Sequence, residues 1–157
     1  MPPSATSNTA FPPRAFRVLI ADDDPQSVEL LEAYLSDSGY EIQTAADGEE
    51  TLAKVQAWQP DLILLDIMMP KISGFEVCKR LRANPATRSI AVLMVTALDQ
   101  QSDIERAVEA GTDDFVTKPI NKKQLLQMVR ALLESRHRPS DLDRTLAYIE
   151  AVERDSK

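Results

Sequence analysis

Five short apolar runs, each followed by a stretch whose apolar residues recur at helical spacing, constrain this chain more than any other feature. They are Arg17 to Ala21, Tyr40 to Ala45, Asp61 to Leu65, Ile90 to Val95 and Asp114 to Thr117. Such a rhythm of strand and helix calls for an α/β fold with a doubly wound parallel sheet. Leu62 to Leu65 has no polar face, as suits a strand covered on both sides. Tyr40 to Ala45, "YEIQTA", alternates instead and is the weakest of the five.

The intervening segments carry helix punctuation. Asp24 reads as an N-cap with Pro25 in the first turn, where the missing N–H costs nothing. Val28, Leu31 and Leu35 then form an inner face, and Gly39 is expected to stop the helix. Asp47-Gly48 turns the chain into a second helix, Glu49 to Trp58, with Leu52 and Val55 inward, and Pro60 excludes its continuation. Gly74 opens a third helix through Phe75, Cys78 and Leu81. A fourth spans Ser102 to Ala110 and is capped by Gly111. Asn121 begins a fifth that buries Leu125, Met128, Val129 and Leu132.

A length of 157 residues suits one ordinary domain. Residues 16–135 are assigned to it. Residues 1–15 are proline-rich, without the charged start or apolar stretch of a signal peptide, and read as a flexible leader. Residues 136–157 read as a charged tail or linker helix, in which Leu142, Leu146 and Ile149 can share a face. The single cysteine, Cys78, can form no internal disulfide. A net charge of -7 without a basic patch opposes nucleic-acid binding. No apolar run reaches the roughly 20 residues of a membrane span. A soluble, cytoplasmic protein without membrane insertion is expected.

In an open parallel sheet the usual site is the crevice outside the C-terminal strand ends. Four of the five strands bring polar residues to that edge: Asp22 and Asp23, then Asp66, Thr96 and Lys118. Any one of them alone would read as a cap, a turn or a solvated residue. Together they gather carboxylates that repel one another unless a cation joins them. Hard oxygen ligands without a histidine or cysteine set favour Mg2+, or Mn2+, over zinc. Asp66 can act as a nucleophile that needs no base, with Asp23 on the metal and Lys118 and Thr96 on phosphoryl oxygens. The one histidine, His137, lies in the charged tail.

These segments, "ADDDP", "LLLDIMMPKISGFEV", "VTA" and "GTDDFVTKPI", in this order resemble the receiver domain of two-component response regulators, the CheY-like family, over about Phe16 to Ser135. The resemblance implies a flavodoxin-like strand order 2-1-3-4-5 with helices on both faces. It assigns Asp66 as phosphoacceptor and Asp22 and Asp23 as the acidic pair for Mg2+, with the backbone carbonyl of Met68 completing the protein ligands. Thr96 and Phe115 match the switch pair, Lys118 the phosphoryl-contacting lysine, and Lys118-Pro119 a peptide that is cis in the family. The donor implied is a histidine kinase or histidine phosphotransfer protein. Self-catalysed phosphorylation and dephosphorylation and a switching surface on helix 4, strand 5 and helix 5 follow from the same likeness. A homodimer could use that surface or the C-terminal helix. Ile72 and Ser73 depart from the family's commonest residues before the glycine, away from the metal site.

Two rivals remain at this level. An aspartate-nucleophile phosphatase would place a second Asp two residues after Asp66, where Met68 stands. A degenerate receiver serving only as a protein-binding module would lack some of the site residues, all of which are present.

Overall fold

The structure, a computed structural model, describes residues 15–135 together with Ile149 and Val152. Apart from Ala15, Ile149 and Val152, the assigned leader and tail, with His137 and the rest of the Leu142 and Leu146 stripe, lie outside the described residues.

Strands β1 (Arg17–Ala21), β2 (Glu41–Ala45), β3 (Leu62–Leu65), β4 (Ala91–Thr96) and β5 (Asp114–Thr117) form one parallel sheet in the order β2-β1-β3-β4-β5. Parallel neighbours need long crossovers, here supplied by α1 (Pro25–Leu35), α2 (Gly48–Trp58), α3 (Gly74–Ala83) and α4 (Gln101–Ala110), while α5 (Lys122–Ser135) follows the last strand. Successive side chains of a strand point to opposite faces, so β1 and β3 feed two cores. Leu19, Ile63 and Leu65 pack with Val55 of α2, Phe75 and Cys78 of α3 and Ala107 of α4. Ile20, Leu62 and Leu64 pack with Leu31 and Leu35 of α1 and Leu125 and Val129 of α5. Each fully buried aliphatic side chain contributes about 1.5–3 kcal/mol, and a charge in the middle of β3 would forfeit that whichever core it faced.

The elements follow the sequence expectations closely, and the small departures have local causes. β2 lies at the edge of the sheet and only Ala45 in it is buried, which is why its pattern alternates. α1 ends at Leu35, before Gly39. The Ser36 and Ser38 hydroxyls donate to the carbonyls of Ala33 and Leu35 and so satisfy the helix end without a glycine. Gly39, at φ 84°, serves the turn into β2 instead. Gly111, at φ 99°, does cap α4.

The winding reverses at β1, because the chain crosses outward to β2 and then back past β1 to β3. That reversal opens the crevice at the C-terminal ends of β1 and β3, between the crossovers to α1 and α3.

Candidate functional site

β1 delivers Asp22 and Asp23 to this crevice, and β3 delivers Asp66. Their attachment is rigid: the Asp66 N–H donates to Ala21 O at 2.9 Å, and the Asp22 N–H to Ala45 O at 3.0 Å. Asp22 and Asp66 are buried while Asp23 is exposed, and each of the three offers a carboxylate oxygen within 4.8 Å of the others. Among the described residues this is the one group of carboxylate, histidine or cysteine side chains able to share a metal ion.

β5 brings a cation to the same place. Lys118 Nζ donates to Asp22 Oδ2 at 2.8 Å and to Asp66 Oδ2 at 3.3 Å. Its N–H is held by Thr96 O at 2.8 Å, so the lysine backbone is fixed to the end of β4. Burial works against the Lys118 charge, but the hydrogen bond to Asp22 and the charges of Asp66 and Asp22 outweigh it and raise its pKa. Burial likewise raises Asp22, aided by the charge of Asp66 and opposed by hydrogen bonds from Lys118 and the Asp24 N–H. Three carboxylates against one ammonium leave two formal negative charges in excess, which equals the charge of one divalent cation. The donor set therefore fits a hard divalent ion.

The remaining candidates divide by position. Thr96 closes β4 and is fully buried, with its Oγ1 accepting from the Leu98 N–H at 3.4 Å. β3 and β4 pair Leu65 with Met94, so continuing that register puts Thr96 one residue beyond the level of Asp66. Met68 turns a 63% exposed side chain outward, and its N–H approaches Asp66 Oδ1 at 3.3 Å. Phe115 is partly buried against the α2–α3–α4 face. The Lys118-Pro119 peptide is cis.

Asp24 caps α1 through Oδ1, which accepts from the Gln26 N–H at 3.0 Å. Two features escape a reading of the sequence. Ser27 Oγ accepts from Lys118 Nζ at 3.1 Å, across 91 residues of chain. Gly74 is more than a helix opener: a Cβ there would stand 2.3 Å from Asp66 O. The glycine lets α3 start directly against the strand end that carries Asp66. On the far side of the same loop, a Cβ on Gly48 would stand 2.2 Å from Ile72 O. Lys71, at φ 73°, reaches back to Asp47 at 3.5 Å and Glu49 at 3.7 Å.

Residues 18–130 match the family described as the response regulator receiver domain. The DNA-binding dual master transcriptional regulator RpaA of Synechocystis is 47% identical over 117 residues, covering 74% of this chain and 48% of RpaA. The response regulator PleD of Caulobacter vibrioides is also 47% identical, over 116 residues that make up 74% of this chain and 26% of PleD. The chain thus spans from about a quarter to about half the length of these relatives. Among solved structures, the signal receiver domain of a histidine kinase from Syntrophus aciditrophicus superposes with TM-score 0.74 at 34% identity, covering 81% of this chain and 96% of that one. A CheY-like receiver domain protein from Methanospirillum hungatei gives TM-score 0.73 at 29% identity, over 78% and 96%.

Proposed function

Because the chain belongs to the receiver family of two-component response regulators, we propose that residues 16–135 accept a phosphoryl group on Asp66 and report it as a change of surface. The observation that carries this reading is the buried Asp66 carboxylate sharing the Lys118 ammonium with a second buried carboxylate, Asp22.

Asp22, Asp23, Asp66 and the Met68 carbonyl would hold Mg2+, or Mn2+ in its place. The ion supplies neutralisation of phosphoryl oxygen charge when bound. Asp66 Oδ attacks the phosphorus of a phosphohistidine on a histidine kinase or phosphotransfer protein. The new P–O bond forms as the P–N bond breaks, and the electron pair leaves with the imidazole. Lys118, already within reach of Asp66 Oδ2, moves its hydrogen bond to a phosphoryl oxygen. Thr96 supplies a hydroxyl at the next level of the sheet, and displacement of that hydroxyl toward the phosphoryl group leaves room for Phe115. Water later attacks the same phosphorus, the bond from phosphorus to Asp66 Oδ breaks, and inorganic phosphate leaves with the carboxylate restored.

The switch reaches partners through α4, β5 and α5, where a second copy or a downstream protein would dock. The C-terminal tail is the other dimerisation candidate. No helix among the described residues is long and apolar enough to cross a membrane, and a cytoplasmic location accords with a kinase partner there.

The test is to incubate the chain with Mg2+ and acetyl phosphate and follow intact mass. One phosphoryl group is expected on wild type and none on Asp66→Asn. Uptake by the variant would reassign the acceptor, absence from wild type would favour a binding module, and sustained turnover of unrelated phosphoesters would favour a phosphatase.

A further inference from the structure

We propose that Ser27, in the first turn of α1, is a positioning residue for Lys118 and that its hydroxyl keeps the ammonium from closing on Asp66. The inference rests on the phosphoacceptor reading of Asp66.

An ammonium has three N–H donors and no acceptor. Lys118 spends them on Asp22 Oδ2 at 2.8 Å, Ser27 Oγ at 3.1 Å and Asp66 Oδ2 at 3.3 Å. Since Lys118 can only donate, Ser27 Oγ must accept from it, and the serine proton is free to go elsewhere. It goes to Asp24 Oδ2 at 3.2 Å. Asp24 is itself held, because its N–H donates to Asp22 Oδ1 at 2.9 Å and its Oδ1 caps the helix at Gln26. A closed relay therefore runs from the cap of α1 through Ser27 to Lys118 and back to Asp22.

Its longest bond is the one to Asp66. That ordering suits a nucleophile, for an ammonium fully seated on Asp66 Oδ2 would withdraw the electron pair that must attack phosphorus. Anchored by Ser27 and Asp22, the ammonium stays within reach of the incoming phosphoryl oxygens while leaving Asp66 lightly bound. Without Ser27 Oγ, one donor loses its protein acceptor. The side chain is then free to shift off Asp22 and close on Asp66 Oδ2, where it also competes with the cation.

The experiment compares wild type, Ser27→Ala and Ser27→Thr in the full chain. Alanine is at least as good a helix former as serine, and Asp24 keeps its cap bond to the Gln26 N–H, so α1 retains its N-terminal cap in the variant. At saturating Mg2+ and varied acetyl phosphate, Ser27→Ala is expected to slow phosphoryl uptake about three- to tenfold, and Ser27→Thr to restore it. The 15N-labelled Lys118 ammonium, observed at low temperature, is expected to be protected from exchange in wild type and Ser27→Thr and to lose that protection in Ser27→Ala. Wild-type uptake rates in Ser27→Ala together with an unchanged Lys118 resonance would overturn the inference. If wild type takes up no phosphoryl group, the acceptor reading fails, and the Lys118 resonance alone then decides whether Ser27 holds the lysine.

Discussion

At the level of single residues the site is an electrostatic compromise. Like charges are held closer than water would allow by an ammonium that balances only one of them. Asp23 is exposed, and the ion pairs of Lys118 are made by its two neighbours. Replacing it with Asn therefore relieves repulsion without orphaning the lysine. Asp23→Asn is expected to raise the stability of the metal-free chain by roughly 0.5–1 kcal/mol in urea titrations. It should also abolish the further stabilisation expected of wild type in millimolar Mg2+. Asp22, Asp23, Asp66, Thr96 and Lys118 were legible in the sequence because each sits at a strand end with a recognisable neighbourhood. Ser27 was not, since nothing within α1 announces a partner that arrives with β5. Nor was the tight approach of Gly74, whose role depends on a carbonyl eight residues earlier that only the folded turn brings beneath it.

At the level of elements, apolar runs and caps located every strand and helix within residues 15–135, while the ties between elements stayed hidden. Arg82 shows why. It looks like one of several exposed charges on α3, yet its guanidinium donates to Gly111 O at 2.7 Å, Arg88 O at 2.8 Å and Ile90 O at 2.6 Å, and pairs with Asp113 at 2.9 Å. These bonds staple the end of α3 to the entrances of β4 and β5, and no periodicity encodes them. Arg82→Ala should cost about 2–3 kcal/mol in urea unfolding, from carbonyls left without their charged donor, while Mg2+ affinity stays unchanged. Cys78, also on α3, is fully buried, and burial pushes its thiol up from 9.0 to about 11. Between those values the unfolded chain has released a proton that the folded chain keeps. Stability attributable to this group is thus intact below pH 9 and falls as pH rises toward 11. Over that range wild type should lose stability faster than Cys78→Ala, by up to about 1.4 kcal/mol per pH unit. Equal slopes would place the thiol in a far more polar setting.

At the level of the whole molecule, the strand order turns scattered residues into a site. One reversal of winding puts the ends of β1 and β3 side by side, and β4 and β5 then follow on the β3 side with Thr96 and Lys118. The rhythm of runs implied a parallel sheet but did not by itself specify that order, which came from resemblance to a known family. On the function proposed above, this geometry makes Asp66 the acceptor. The most direct test treats the full chain with Mg2+ and acetyl phosphate, reduces the acyl phosphate with borohydride and maps the peptides by mass spectrometry. Conversion of Asp66, and no other carboxylate, to homoserine is the result expected. Reduction at Asp22 or Asp23 instead, or phosphate retained on His137, would contradict it.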